Sequence, residues 1–241
     1  MARFLLPPNH WQTDPALTGD EAKHAAQVLR VKPGQTVTVF DGSGRRSDAE
    51  ILAVSRDHIP LRFLGEPERP PAPLPAITLV QAIPKGKNMD LIVQKAVELG
   101  VASIQPLVTR NTVVNPGDKK AHKWRRTALE ACKQCGQDTL PHIADPITFD
   151  AWIPEQGNPN PGLQLIASLA PGAKPFRQTL LEHPGTTAAT LLIGPEGDFS
   201  PQETEAATAA GFLPVTLGDI VLRVETATLY CLSALRYQYS C

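Results

Sequence analysis

"LLIGPEGDFSPQE", residues 191–203, passes from an aliphatic run through two glycines, set around a proline and a glutamate, into the start of a helix. Glycine between a strand and a helix N-terminus is the usual setting for a bound phosphate, because bare backbone N–H groups and the helix dipole both favour an anion. This helix end is already satisfied. Ser200, Pro201 and Glu203 fall at the N-cap, first and third positions of the helix, a capping box with proline where its missing N–H does no harm. Glu196 and Asp198 add negative charge, and the loop holds no lysine to offset it. Such a loop suits a neutral or cationic ligand approached closely by bare backbone.

Working upstream, strands and helices alternate. "AITLVQAI" is a β-rich run, "MDLIVQKAVELG" an amphipathic helix closed by Gly100, "VASIQPLVT" a strand, and "KKAHKWRRTALEACKQCG" a second glycine-closed helix. "LQLIASLA", "ATLLIG" and "LPVTLG" supply three more short strands. This order predicts a largely parallel sheet with ligands at the strand C-terminal ends. Downstream, "LGDIVLRVETATLYCLSAL", residues 217–235, predicts a buried connection and then a core helix opened by Thr226. Arg223 and Glu225 stand out in that apolar segment. Charges so placed need partners, and they are either structural or catalytic.

"GEPERPPAPLPA", residues 65–76, carries five prolines and reads as a stiff linker. Before it, alternating β-formers around the turn "DGSG" predict hairpins of a small β-barrel or sandwich. "TGDEAKHAAQVLRVKPG" predicts a helix from near Asp20 to before Pro33. The division is into residues 1–70 and 71–241. At 241 residues, 42% hydrophobic and 20% charged with a net charge of -1, the composition is that of an ordinary globular chain. No apolar run approaches the roughly 20 residues of a membrane span, so a cytoplasmic protein without a membrane partner is expected. Cys132, Cys135, Cys231 and Cys241 are too sparse for a disulfide framework and are read as reduced thiols. One CxxC without a second pair is read as structural, so no metal is expected. From Arg110 to Gln137 seven basic residues, Arg110, Lys119, Lys120, Lys123, Arg125, Arg126 and Lys133, face two acidic ones, Asp118 and Glu130. That run is either a solvated helix face or a surface for a polyanion.

"IGPEGDFSPQE" followed by "LGDIVLRVETA" resembles the paired C-terminal motifs of the SPOUT-superfamily RNA methyltransferases, and specifically the family that methylates uracil N3 of small-subunit ribosomal RNA. "KGKNMDLIVQKAVELGVASIQPLVTR", "KWRRTALEACKQCG" and "HAAQVLRVKPGQTVTVFDGSG" extend the resemblance over nearly the whole chain. It implies a PUA-like β-barrel RNA-binding domain followed by a SPOUT α/β domain whose mostly parallel sheet holds a deep trefoil knot. It implies a homodimer, S-adenosyl-L-methionine as cofactor, and a 16S ribosomal RNA substrate within the assembled 30S particle. The sulfonium cation of that cofactor agrees with an acid-bordered loop that lacks lysine. By resemblance the cofactor residues are Leu169, Ile193, Gly194, Pro195, Glu196, Gly197, Leu217, Gly218, Ile220, Leu222, Arg223 and Thr226, with main-chain bonds to adenine from Gly218, Ile220 and Leu222. RNA contacts are expected from Arg3, Arg30, Lys85, Arg110, Lys123, Arg125 and Arg126. The candidates for chemistry are Glu225 as general base, Arg223 as stabiliser of the uracil anion or partner of a glutamate, and Glu196 as shaper of the loop. Two positions depart from the family pattern: Asp198 replaces a second glycine, and Gln137 stands where arginine is frequent. A non-catalytic RNA-binding assembly factor of the same build, or a nucleotide-binding enzyme using the glycine loop for phosphate, is the alternative.

Overall fold

The computed structural model describes residues 1–11, 14–114, 117, 119–157 and 162–239. Asp118 and Cys241 lie outside the described residues. The chain forms two compact units, Met1–Ala72 with Leu129–Leu140, and Pro73–Ala128 with Pro141–Cys241.

The first unit contains β1 (Arg3–Leu5), β2 (Ala16–Thr18), α1 (Gly19–Lys23), β3 (Thr36–Phe40), β4 (Arg46–Ile51) and β5 (His58–Phe63). The strands make one five-stranded sheet in the order β1-β3-β4-β5-β2. Its hairpin register places Val37 and Val39 opposite Ala49 and Ser47, so Phe4, Leu17, Val37, Val39, Ala49, Ile51, Ile59 and Leu61 share a core. Helix α1 continues into a π-helical segment, His24–Val28, which seats Ala22 and Ala25 in that core. The segment 129–140 joins this unit through main-chain bonds, Gly44 N–H to Asp138 O at 3.1 Å and Leu140 N–H to Gly42 O at 2.8 Å. Pairing of that kind leaves no hydrophobic period in the sequence to announce it.

The second unit contains β6 (Ala76–Ala82), α2 (Asn88–Glu98), β7 (Ser103–Val108), the start of α3 (Lys119–Cys135), β8 (His142–Ile143), β9 (Ile147–Thr148), α4 (Phe149–Trp152), β10 (Leu163–Ala167), β11 (Lys174–Pro175), α5 (Phe176–Glu182), β12 (Ala188–Ile193), α6 (Pro201–Ala209), β13 (Leu213–Thr216) and α7 (Val224–Tyr239). Its eight strands run in the order β11-β13-β10-β12-β6-β7-β8, with β9 also on β7. Every ladder among the described residues is parallel. That is why β6 and β12 are nearly continuous apolar runs: a parallel sheet is covered on both faces. Strand β12 lies between β6 and β10, both earlier in the chain, so the C-terminal ends of strands from distant stretches of sequence are brought side by side.

Helix α7 begins at Val224 rather than at Thr226, which places Glu225 in its first turn. Most of its apolar face is used within the chain: Cys231, Leu232 and Leu235 are fully buried. Part of the apolar surface of the helix is thus used internally, while Tyr230 and Tyr237 on α7, the latter 90% exposed, and Ile220 and Val221 just before it face outward. Two polar ties fix α7. Thr228 Oγ1 donates to Gln81 Oε1 of β6 at 2.7 Å, with both side chains fully buried. Arg236 donates to the carbonyls of Leu99 at 2.8 Å, Pro75 at 2.9 Å and Gly100, closing the C-terminal end of α2. Arg236→Ala leaves those carbonyls without a charged donor. The expected loss is about 2 kcal/mol, read as a lower denaturant midpoint at unchanged slope; an unmoved midpoint would show that water replaces the guanidinium.

Candidate functional site

A cavity of about 470 Å³ opens where β10, β12 and β13 end and α7 begins. Its wall is built from Ala167–Leu169, Ile193–Glu196 with Asp198, Leu217 and Gly218, Ile220–Glu225, and Asn88. Ten of the residues expected at a cofactor line it: Leu169, Ile193, Gly194, Pro195, Glu196, Leu217, Gly218, Ile220, Leu222 and Arg223. Gly197 and Thr226 lie outside the lining.

The loop 194–199 is held by donors from three other strand ends. After β6, the Lys85 N–H donates to Glu196 Oε1 at 2.9 Å. After β7, the Asn111 amide donates to the carbonyls of Gly197 and Asp198 at 2.9 and 3.0 Å. After β10, the Leu169 N–H donates to Asp198 Oδ2 at 3.2 Å, and Asp198 Oδ1 accepts the Phe199 N–H at 2.8 Å. The acidic residues of the loop thus serve as acceptors for main-chain N–H groups. Asp198 takes φ +55, a left-handed conformation that aspartate tolerates. Gly194 is fixed by packing, since a Cβ would lie 3.1 Å from Asp198 Oδ1 and 3.2 Å from the Phe199 ring. Gly218 needs its φ of +119, with open space around it. The capping box forms as the sequence predicts, with the Glu203 N–H donating to Ser200 Oγ at 3.3 Å and the Ser200 N–H to Glu203 Oε2 at 2.8 Å. Glu203 Oε1 also accepts the Arg110 N–H at 2.8 Å.

On the far side of the cavity, Gly218 N–H and C=O are both engaged by Thr216 Oγ1. The main-chain groups of Ile220 and Leu222, like those of Val221 between them, make no hydrogen bond among the described residues and are open to a ligand. Arg223 is exposed and pairs with no carboxylate among the described residues. Glu225 accepts one hydrogen bond, from Asn88 Nδ2 at 3.2 Å. Neither Asn88 nor Asn111 was legible as a site residue. Both act only through tertiary neighbours more than 80 positions away.

Residues 70–236 match the family model of an RNA methyltransferase domain, and residues 17–64 that of an RNA methyltransferase PUA domain. The ribosomal RNA small subunit methyltransferase E of Synechocystis sp. is 31% identical over 219 residues, covering 90% of this chain and 71% of that protein. The chain belongs to this RNA methyltransferase family. The family member of the same name in Bacillus subtilis is 26% identical over 99% of this chain and 97% of its own. The crystal structure of a family member from Neisseria gonorrhoeae bound to S-adenosyl methionine superposes with a TM-score of 0.86 at 32% identity, over 99% of this chain and 98% of that one.

For an RNA methyltransferase the basic residues matter, and the structure sorts them. In the first unit the Arg3 guanidinium, 13% exposed, is bonded to Asp138 at 2.5 Å and lies over the Phe40 ring. Arg30 is exposed at φ +51. In the second unit Lys123 is bonded to Asp90, and Arg125 to Asp145 at 2.8 Å and to the Ile143 carbonyl at 2.9 Å. Lys133, in the first unit, is bonded to Glu21 at 2.5 Å and Glu130 at 3.1 Å. Three residues of the counted basic run are therefore paired, Lys123 and Arg125 at the surface and Lys133 in a largely buried position. Lys85, Arg110 and Arg126 are exposed, and their side chains make no ion pair among the described residues. Burial pushes the Cys132 thiol up to about 12 and raises that of Cys231 as well, which keeps both protonated and inert. No helix among the described residues is long and apolar enough to cross a membrane.

Removing the Asn111 amide leaves two loop carbonyls without their donor. Asn111→Ala is expected to weaken binding of S-adenosylmethionine about tenfold in calorimetry, equivalent to about 1.4 kcal/mol. Unchanged affinity would mean that Lys85 and Leu169 hold the loop unaided.

Proposed function

We propose that the chain transfers a methyl group from S-adenosyl-L-methionine to uracil N3 in small-subunit ribosomal RNA. The observation that carries this reading is a single cavity that presents free main-chain groups, an unpaired guanidinium and a carboxylate outside any ion pair. The donor set fits the cofactor: Ile220 and Leu222 offer the main-chain edge that an adenine requires, the tied acids of loop 194–199 border a cation, and no lysine is present for a phosphate. Bound there, S-adenosyl-L-methionine supplies an electrophilic methyl on sulfur. Named relatives act on small-subunit ribosomal RNA, and the Neisseria gonorrhoeae structure carries S-adenosyl methionine.

The N3–H of uracil is a weak acid, so methylation there needs a proton acceptor and stabilisation of the resulting anion, in addition to in-line placement. Glu225 takes the proton. Arg223, a planar fork with no partner of its own, faces the developing charge on the carbonyl oxygens. Glu196 shapes the loop, since its carboxylate is bonded to a main-chain N–H. Arg30, Lys85, Arg110 and Arg126 bind RNA phosphates within the 30S particle. A homodimer covers the exposed apolar residues Ile220, Val221 and Tyr230, the strand connections around the cavity form the deep trefoil knot of the SPOUT fold, and the site of action is the cytoplasm. A catalytically silent assembly factor would have no need of an unpaired arginine beside a carboxylate in the cavity.

Glu225→Gln keeps the shape and removes the base, so methylation of unmodified small subunits should slow by about 100-fold or more, with cofactor affinity retained. Near-normal turnover would leave Glu225 structural. Charge reversal of Arg126 should weaken RNA binding and lower the slope of log affinity against log salt by about 1. An unaltered slope would make Arg126 part of a solvated face.

A further inference from the structure

We infer that Asn88 is a positioning residue for proton transfer: it holds the Glu225 carboxylate away from Arg223 and turned toward the base. The inference rests on the reading of Glu225 as proton acceptor. Asn88 is the first residue of α2 and Glu225 lies in the first turn of α7, and the two helices pack on each other. Their N-terminal ends meet at the cavity, which both residues line. The Asn88 Nδ2 to Glu225 Oε2 bond, 3.2 Å, is the only hydrogen bond of either side chain among the described residues.

Local structure does not account for the asparagine. The N-cap of α2 is Lys87, and no side chain bonds to the helix end there. An asparagine at such an end ordinarily earns its place by capping; this one reaches across to another helix instead. The chemistry of the pair explains why a neutral donor suits the position. A glutamate has three side-chain torsions, and a carboxylate left loose beside an unpaired guanidinium would pair with it in a charge-assisted hydrogen bond. Such a pair would occupy both the acceptor for the N3 proton and the donor for the carbonyl oxygens. Asn88 takes Oε2 with an uncharged N–H, which leaves Oε1 with its lone pairs free and the carboxylate charge intact. Arg223 is correspondingly unpaired among the described residues.

Asn88→Asp tests this without changing size. It replaces the donor with a second carboxylate beside Glu225, and like charges at that range repel or share a proton. The turnover number on unmodified small subunits should fall about 10- to 100-fold, the scale of a misplaced catalytic group. Affinity for S-adenosylmethionine by calorimetry should stay unchanged, which also verifies that the variant is folded. In a Glu225→Gln background the same substitution should add no further loss, because residues acting as a unit are non-additive. A normal turnover number for Asn88→Asp beside a slow Glu225→Gln would overturn the role of Asn88 alone. So would multiplied losses in the double variant, or a parallel loss of cofactor affinity. Normal turnover by Glu225→Gln would instead remove the base assignment, and the positioning role with it.

Discussion

The loop 194–199 crosses the end of a parallel sheet with its backbone turned sharply through Asp198 and its carbonyls facing other strand ends. Its carbonyls and carboxylates accept solvent-accessible hydrogen bonds from Lys85, Asn111 and Leu169, one from the end of each of three strands, so the bonds act by fixing geometry. This mutual satisfaction determines the shape of the cavity. Glu196 and Asp198 act as acceptors for N–H groups that no strand pairs, and Glu203 does the same for Arg110 while it caps α6. The acidic character of the stretch is the means by which four chain segments are registered against one another. A ligand entering the cavity meets a wall organised before it arrives.

How much of this was legible depends on the range of the interaction. The capping box Ser200–Glu203 is written within four residues, and the sequence shows it outright. The longer strands and α2 announce themselves by apolar runs and by Gly100, whose φ of +74 ends the helix. The two-residue strands β8, β9 and β11 carry no period at all, and they exist because the edge of the sheet offers them partners. Helix α7 starts at Val224, two residues before the Thr226 that the sequence predicts. Arg223, Val224 and Glu225 look like loop when helix formers are counted, yet the Ala227 N–H already reaches the Arg223 carbonyl at 2.8 Å. That shift has chemical weight, because it moves Glu225 from a connection into the positive end of a helix dipole, where a carboxylate is favoured.

Charge is the quantity the sequence counts well and interprets poorly. The basic run between Arg110 and Gln137 suggests a surface for polyanions, but Lys123, Arg125 and Lys133 each meet a carboxylate supplied from elsewhere in their own unit. Arg3 meets Asp138 in the same way, across a sequence separation of 135. The exposed pairs Lys123–Asp90 and Arg125–Asp145 contribute little to stability, whereas Arg3–Asp138 and Lys133–Glu21 are largely buried, and all of them decide which cations remain available. The residue types at Arg110 and Arg125 are identical; only the fold separates a free guanidinium from an occupied one.

The same logic separates two glutamates that the motifs present as equals. Glu196 and Glu225 both border the cavity. Glu196 accepts a main-chain N–H, a donor that cannot move without displacing β6's own loop, so its carboxylate is part of the scaffold. Glu225 accepts a side-chain amide from a residue that caps nothing. A main-chain donor shapes a loop, whereas a side-chain donor can orient a carboxylate and leave its second oxygen for chemistry. An arginine two residues away that pairs with neither glutamate completes the contrast, and in the proposed reaction it is left to meet the charge that appears on the substrate as its proton leaves.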